Sequence, residues 1–484
     1  MKPDQIRNYT GGAWGESAGT EILDVPNPAT DEVIARVRMT TAEEVDAAVR
    51  AANAAFQEWR DTPPVRRAQF LLKLREIMLA RREDIARTLT TEHGKTLTEA
   101  GLEVDRAIDN IEVAAGAPSL MMGRLLEDVS KGIDEYCVRQ PLGTFAVLCP
   151  FNFPAMIPFW FMPYALATGN TYVVKPSPRV PMTMQVIFDC LEKAGFPPGV
   201  VNCVNGGGDT ANALIDHPGI VGVSFVGSTP VGRQVYARAA SRGKRAQVQA
   251  GAKNFAIVMP DADMAKSAPN MIASAFDCSG QRCLALSCVI TVGRAHDEVR
   301  DRLLQAAKAI RVGNGLEPGA AMGPVISRDA QKRIEGCIAK GEAEGAKLLL
   351  DGRGCKVAGY PNGYWVGPTI FDECRAEMSV AREEIFGPVL CVIPVDTYEE
   401  AKAVIAGNPY GNAASIFTRN GGIARDFRHT VRCGNLGINI GVAAPIAMFH
   451  FSGMKDSFFG DLHAQGRDAI QFFTEGVVVV ERWF

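Results

Sequence analysis

The sequence predicts an α/β protein built as two lobes with a cleft between them. Three observations carry that expectation. The chain has 484 residues, room for two or three domains at roughly 150 residues each. After Gly143, short apolar runs alternate with helical stretches at spacings of about 25 residues, the rhythm of βα units on a parallel sheet. A second series of the same kind begins near Asn254.

The elements follow in chain order. The opening residues, Met1 to Asn8, hold no apolar run, so no secretory signal is expected. The first third reads as mostly helical. Thr41-Ala-Glu-Glu44 has the form of a capping box, and Val45, Val49, Ala52, Phe56 and Trp59 then recur at helical spacing. Pro63-Pro64 breaks that helix and opens another, with Phe70, Leu71, Leu74, Ile77 and Met78 on one face. A third spans about Leu97 to Ala115. From Phe145 to Gly169 the chain is apolar and long enough to imitate a membrane span. Pro150, Pro154, Pro158 and Pro163 each remove a helix donor, so the segment is expected inside the protein as strand, turn and short helix.

Strands are expected at Phe145–Cys149, Thr171–Lys175, Val200–Val204 and Gly222–Val226, then at Phe255–Met259, Val289–Val292 and Val389–Val395. Ile133–Gln140 and the β-branched run Gly476–Val480 read as strands outside both lobes. Exposed strands invite pairing with another subunit, so a homodimer or homotetramer is expected.

Composition narrows the function. A formal charge of -3 argues against a nucleic-acid scaffold. Glycine is about a tenth of the chain against a usual ~7%, which points to many close backbone approaches. Twelve cysteines without a CxxC pair, and only six histidines, suit the reduced thiols of a cytoplasmic protein better than a disulfide framework or a zinc site. No metal is expected.

Four motifs can carry chemistry. Ser279-Gly-Gln-Arg-Cys283 sets a thiol beside backbone N–H groups that can lower its pKa and later hold an oxyanion; one cysteine among twelve is also ordinary packing, the reading given to Cys278 and Cys288. Pro150-Phe-Asn152-Phe-Pro154 holds an amide rigidly in an apolar turn, as an oxyanion donor or as the cap of its own turn. Phe225-Val-Gly227-Ser228-Thr-Pro-Val-Gly232 is a strand feeding a helix, a geometry that offers free N–H groups to a phosphate. Lys175 stands at a strand's carboxyl end, where cofactors sit in open sheets; a solvated lysine is the plain alternative.

These segments, with Asn27-Pro-Ala-Thr30, Val174-Lys-Pro-Ser177, Phe225-Val-Gly-Ser228, Gly280-Gln-Arg-Cys283 and Glu383-Glu-Ile-Phe-Gly-Pro388, make the chain resemble the aldehyde dehydrogenase superfamily over its whole length. The resemblance implies a Rossmann-like cofactor lobe (1–119 and 141–249), a catalytic lobe (250–450) and a β-strand oligomerisation flap (120–140 and 465–484). It implies Cys283 as nucleophile and Asn152 as oxyanion amide. It also implies Phe151, Lys175, Ser228 and Glu384 as contacts to NAD.

Two departures are informative. Where most members carry a general-base glutamate, this chain reads Gln249-Ala-Gly-Ala-Lys253-Asn254. An amide cannot take a proton near neutral pH, so water, with a pKa of ~15.7, goes unactivated, while a thiol at ~8.5 needs no such help. Coenzyme A is therefore the expected second nucleophile. Gly251-Ala-Lys-Asn254, Met259-Pro-Asp-Ala-Asp263, Leu120-Met-Met-Gly123 and Phe458-Phe-Gly-Asp461 resemble the CoA-acylating methylmalonate-semialdehyde dehydrogenase branch. That branch takes methylmalonate or malonate semialdehyde to propionyl-CoA or acetyl-CoA with loss of CO₂. A carboxylated substrate needs a cation, for which Arg106 and Arg282 are the candidates. The second departure is Pro178-Arg179, where strict NAD users carry an acid, so use of NADP is open. The competing expectations are an acid-releasing semialdehyde dehydrogenase and a non-catalytic ligand-binding relative.

Overall fold

A strand buried on both faces has no side to give to water and belongs in the middle of a covered sheet. Thr144–Leu148 is buried at all five positions. The computed structural model, which describes residues 4–484, pairs it in parallel with Thr171–Lys175 on one side and Ile220–Val226 on the other. Residues 1–3, where the expected cofactor lobe begins, lie outside the described residues. Val201–Cys203 and Arg245–Gln249 flank this trio in parallel, and antiparallel edge strands bring the sheet to eight. The chain runs outward from Thr144–Leu148 through Thr171–Lys175 to Val201–Cys203, then crosses to the opposite side for Ile220–Val226. That reversal leaves a crevice at the carboxyl ends of Thr144–Leu148 and Ile220–Val226, the place where open α/β sheets take ligands.

A second sheet has seven strands, parallel except for the edge strand Lys347–Leu350. Its centre is Leu286–Val292, flanked by Asn254–Val258 and Val389–Val395. The two lobes of the expectation are thus two covered sheets, each with apolar clusters on its faces. Phe145 to Gly169 lies inside as a strand followed by the short helices Met156–Phe159 and Met162–Thr168. Among the described residues, no helix is long and apolar enough to cross a membrane.

The helix starts follow their caps. Thr41 Oγ1 accepts from Glu44 N while Glu44 returns the bond to Thr41 N, opening Ala42–Asp61. Thr96 and Glu99 repeat the device ahead of Leu97–Ala115. The expectation of a mostly helical first third is corrected at its start. Residues before Thr41 form strands, and Asp4–Ile6, Val33–Arg38 and Ile22–Pro26 make a separate three-stranded sheet. These strands are short and partly exposed, so they carry little alternation to read. A further helix, Arg82–His93, escaped because its buried face holds Thr90, Glu92 and His93 beside Ile85 and Leu89.

The two outlying strands pair with each other. Thr474–Glu481 runs antiparallel to Ile133–Pro141, whose other edge takes Arg124–Ser130. Arg245, on the strand next to the edge of the eight-stranded sheet, donates to the carbonyls of Phe472 (2.8 Å) and Thr474 (3.1 Å) and so ties this small sheet down.

Candidate active site

The strand Thr144–Leu148 delivers the chain into Pro150-Phe-Asn152-Phe-Pro154, and buried charges hold that turn. Lys95 Nζ donates to the Asn152 carbonyl (2.7 Å) and to Glu103 Oε2 (2.6 Å); both side chains of this ion pair are fully buried. Glu103 Oε1 accepts from the N–H groups of Ala155 (2.8 Å) and Met156 (3.2 Å), and the Phe153 ring lies 4.0 Å from Lys95 Nζ. A buried pair survives desolvation only when its remaining hydrogen-bonding capacity is used, as here. Replacing Lys95 by methionine strands the Glu103 carboxylate and is expected to destabilise the protein by about 3–5 kcal/mol, read as a lowered denaturant midpoint.

The nucleophile candidate arrives from the other sheet. Asp277–Gly280 is a tight turn in which Cys278 (φ 53°), Ser279 (φ 55°) and Gly280 (φ 67°) are all left-handed. At Gly280 no side chain fits, because a Cβ would stand 2.2 Å from the Gly387 carbonyl oxygen. The Cys283 carbonyl then accepts from the side-chain amides of Asn412 (2.7 Å) and Asn254 (2.8 Å), which pin its peptide plane to the seven-stranded sheet. Burial pushes the Cys283 thiol up to about 12, with the Glu384 charge adding to the rise. Arg282 and the N–H groups of Cys283 and Leu284 pull the other way.

Two cavities meet at Cys283. One, of about 200 Å³, is lined by Glu99, Arg106, Phe153, Trp160, Asp277 and Phe451 among others. The other, of about 340 Å³, is lined by Phe151, Asn152, Gly227, Ser228, Glu384 and Phe386 with their neighbours. Among the described residues, Cys283 is the one that lines both. Asn152 is buried; its Nδ2 donates to the Gln281 carbonyl at 3.1 Å, which uses one of its two amide hydrogens.

The larger cavity sits in the sheet crevice. Ser228 is the N-cap residue of the helix Thr229–Ala240, and its side chain makes no capping bond, so first-turn N–H groups remain free for an anion. Glu384 accepts from Ala252 N (2.9 Å), and burial pushes its carboxyl up to about 7. Lys175 is not among the residues that line this cavity. It is buried, donates to the carbonyls of Gly206 (2.8 Å) and Pro176 (3.0 Å), and burial brings it down to about 8. Pro178 and Arg179 follow on a more exposed loop, also away from the cavity lining.

On the smaller cavity both expected cations are present, in different states. Arg106 keeps a long contact to Asp109 (3.4 Å) and is half exposed, so most of its donors are free. Arg282 is committed: its Nη2 donates to the carbonyls of Ala273 (2.8 Å) and Ser274 (2.9 Å), and Asp277 stands 3.7 Å away. Asp277 itself is pushed up to about 6 by burial, against the pull of Arg282. Cys288 packs in the core as expected; Cys278 is buried too, yet it also forms part of the cavity wall. Gln249 lines neither cavity. Its Nε2 donates to the Phe451 carbonyl at 3.2 Å and its Oε1 is buried without a partner.

Sequence reasoning did not identify Lys95, Glu103, Asn412, Glu99 and Asp277. A buried lysine or glutamate has no periodic signature, and only the apolar neighbours of Glu103 on Leu97–Ala115 could have hinted at its direction.

Comparison with known proteins places this geometry among relatives. The family model described as "Aldehyde dehydrogenase family" matches residues 14–479. Malonate-semialdehyde dehydrogenase 2 of Geobacillus kaustophilus is 47% identical over 478 residues, 99% of each chain. The solved methylmalonate-semialdehyde dehydrogenase of Oceanimonas doudoroffii is 41% identical with a TM-score of 0.98, over 99% of this chain and 98% of that one. A solved structure from Sinorhizobium meliloti 1021, assigned as a methylmalonate-semialdehyde dehydrogenase and complexed with NAD, is 38% identical with a TM-score of 0.98, over 100% and 99% of the two chains.

Proposed function

The chain belongs to the aldehyde dehydrogenase family, and on that premise we propose that it oxidises malonate or methylmalonate semialdehyde with NAD and passes the acyl group to coenzyme A. The observation that carries the reading is the meeting of two cavities at Cys283 alone, with Asn152 beside it. We assign the crevice lobe (1–119 and 141–249) to the dinucleotide, 250–450 to catalysis, and 120–140 with 465–484 to subunit pairing in a dimer or tetramer. Exposed Leu125, Leu126, Val478 and Val480 support the last assignment. Twelve free cysteines suit a reducing cytoplasm.

The residues around the larger cavity fit a dinucleotide: uncapped N–H groups at Ser228 for its phosphates, the Phe151 ring as a wall, and the Glu384 carboxylate for a ribose hydroxyl. Lys175 and the Pro178–Arg179 segment lie nearer the adenosine end in this reading, and with no acid there to repel a 2′-phosphate, NADP is a second co-substrate. The dinucleotide, when bound, takes up a hydride.

The chain's own residues do the rest. Cys283 thiolate adds to the aldehyde carbon, and Asn152 with the Cys283 N–H holds the alkoxide. Loss of hydride leaves a thioester on Cys283. Its β-carboxylate departs as CO₂, the electron pair staying as an enolate on the same two donors until a proton arrives. The CoA thiol then takes the acyl group and restores the Cys283 thiol. Arg106, with its donors free, is the better carboxylate anchor; Arg282 acts through the cavity wall. For Arg106→Ala, KM for malonate semialdehyde is expected to rise about tenfold or more while propanal turnover changes little; equal losses for both would argue against carboxylate binding.

A second reading has a specific observation in its favour. Glu384 shares the larger cavity with Cys283, and a carboxyl near 7 is poised to activate water. NADH absorbance with malonate semialdehyde separates the two. Steady turnover is expected only with CoA, with one stoichiometric burst in its absence. In Glu384→Gln the CoA-dependent reaction should persist at a raised KM for NAD. Equal steady rates with and without CoA, the latter abolished in Glu384→Gln, would establish hydrolysis instead.

A further inference from the structure

His450, His463 and Asp468 stand together outside the site described above, with their ligand atoms within 4.8 Å of one another. His463 Nδ1 is 3.3 Å from one Asp468 oxygen and His450 Nδ1 is 3.7 Å from the other. The Nε2 of His463 faces the Gly453 carbonyl at 3.2 Å. A carbonyl oxygen only accepts, so that nitrogen carries the hydrogen. Nδ1 then faces the Asp468 oxygen that also accepts from His463 N at 3.2 Å, and a cation shared by ring and carboxylate fits at that spacing.

The surroundings are those of a ligand set. A ring nitrogen fixed by a backbone carbonyl is the usual outer-shell partner of a metal-bound histidine. Phe458 stacks on the same ring, centroids 4.0 Å apart, which holds its direction. Arms of ~2.0–2.1 Å in a tetrahedron give ligand-to-ligand edges of about 3.3 Å, close to the two histidine–Asp468 spacings. His450 is half exposed, leaving its ring free to turn and a fourth position open to water. Two imidazoles and one carboxylate suit zinc and its neighbours, not magnesium or calcium.

We propose that His450, His463 and Asp468 bind a divalent transition-metal ion, Zn²⁺ by its donor set, in a structural role. The expectation of no metal came from the scarcity of clustered cysteines and histidines, and these three residues converge only through folding. Between the two histidines, Phe451 N donates to the Ala464 carbonyl at 2.8 Å, and Phe451 and Gln465 line the smaller cavity. Asp468 lies on Gly466–Phe472, the helix that leads into Thr474–Glu481. An ion here fastens the cavity wall to the base of the small sheet.

The test uses the EDTA-stripped full chain carrying Cys283→Ala, so that the cavity thiol cannot compete for zinc, dialysed against ZnCl₂ with metal analysis. One Zn²⁺ per chain is expected, with a raised melting temperature. Adding His450→Ala, at an exposed position, should weaken binding about 100-fold and remove the thermal shift, whereas His429→Ala should change neither. Absence of saturable uptake below about 100 μM, or uptake that His450→Ala leaves unchanged, would overturn the proposal.

Discussion

Cys283→Ala is expected to form no NADH at all, the pre-steady-state burst included. Among the described residues the two cavities have no other in common, so in the proposed reaction no second thiol meets an aldehyde on one side and a hydride acceptor on the other. Cys278 lines the smaller cavity alone. Loss of a nucleophile of this kind lowers turnover by roughly 10⁴-fold or more, which stopped-flow absorbance resolves. The same recording on the unaltered protein carries a sign. The reactive form is the thiolate and the thiol rests near 12, so the burst rate should climb with pH through the neutral range. A burst surviving in Cys283→Ala would move the nucleophile elsewhere.

The second large effect belongs to Asn152. Its side chain commits one amide hydrogen to the Gln281 carbonyl, which leaves the other for the oxyanion in the proposed reaction. Asn152→Ala should lower kcat by about 10²–10³ with KM little changed, the usual loss for one oxyanion donor. The bond from Lys95 reaches the backbone carbonyl of this residue, not its side chain. The turn should therefore keep its shape and the variant its melting temperature. A parallel fall in stability would mean that the amide mainly holds the turn.

What the sequence made legible was what local physics alone decides. Thr41-Ala-Glu-Glu44 starts its helix because both reciprocal bonds lie within one turn. Thr171–Lys175 and Val389–Val395 were readable because buried strands are nearly continuous apolar runs. Cys283 and Asn152 were legible through their motifs, though they lie 131 positions apart and only folding sets the Asn152 amide against the Gln281 carbonyl. The rest depended on partners that no local pattern records. Lys95 and Glu103 break the rule that charges stay outside, and only the backbone groups they satisfy explain them. Arg282 was legible as a cation but not as an occupied one, since carbonyls and carboxylates draw on the same N–H groups. Gln249 was readable as a missing base; that its amide would turn to Phe451 was not.

The antiparallel pairing of Thr474–Glu481 with Ile133–Pro141 bears on biosynthesis. The hairpin Arg124–Pro141 leaves the ribosome more than 330 residues before Thr474–Glu481, the partner for its open edge. Throughout that interval the edge is an unsatisfied template for other nascent chains, and arrival of Thr474–Glu481 is what closes it. A stop codon between Phe473 and Thr474 would thus free an adhesive ribbon while keeping every residue that lines the two cavities.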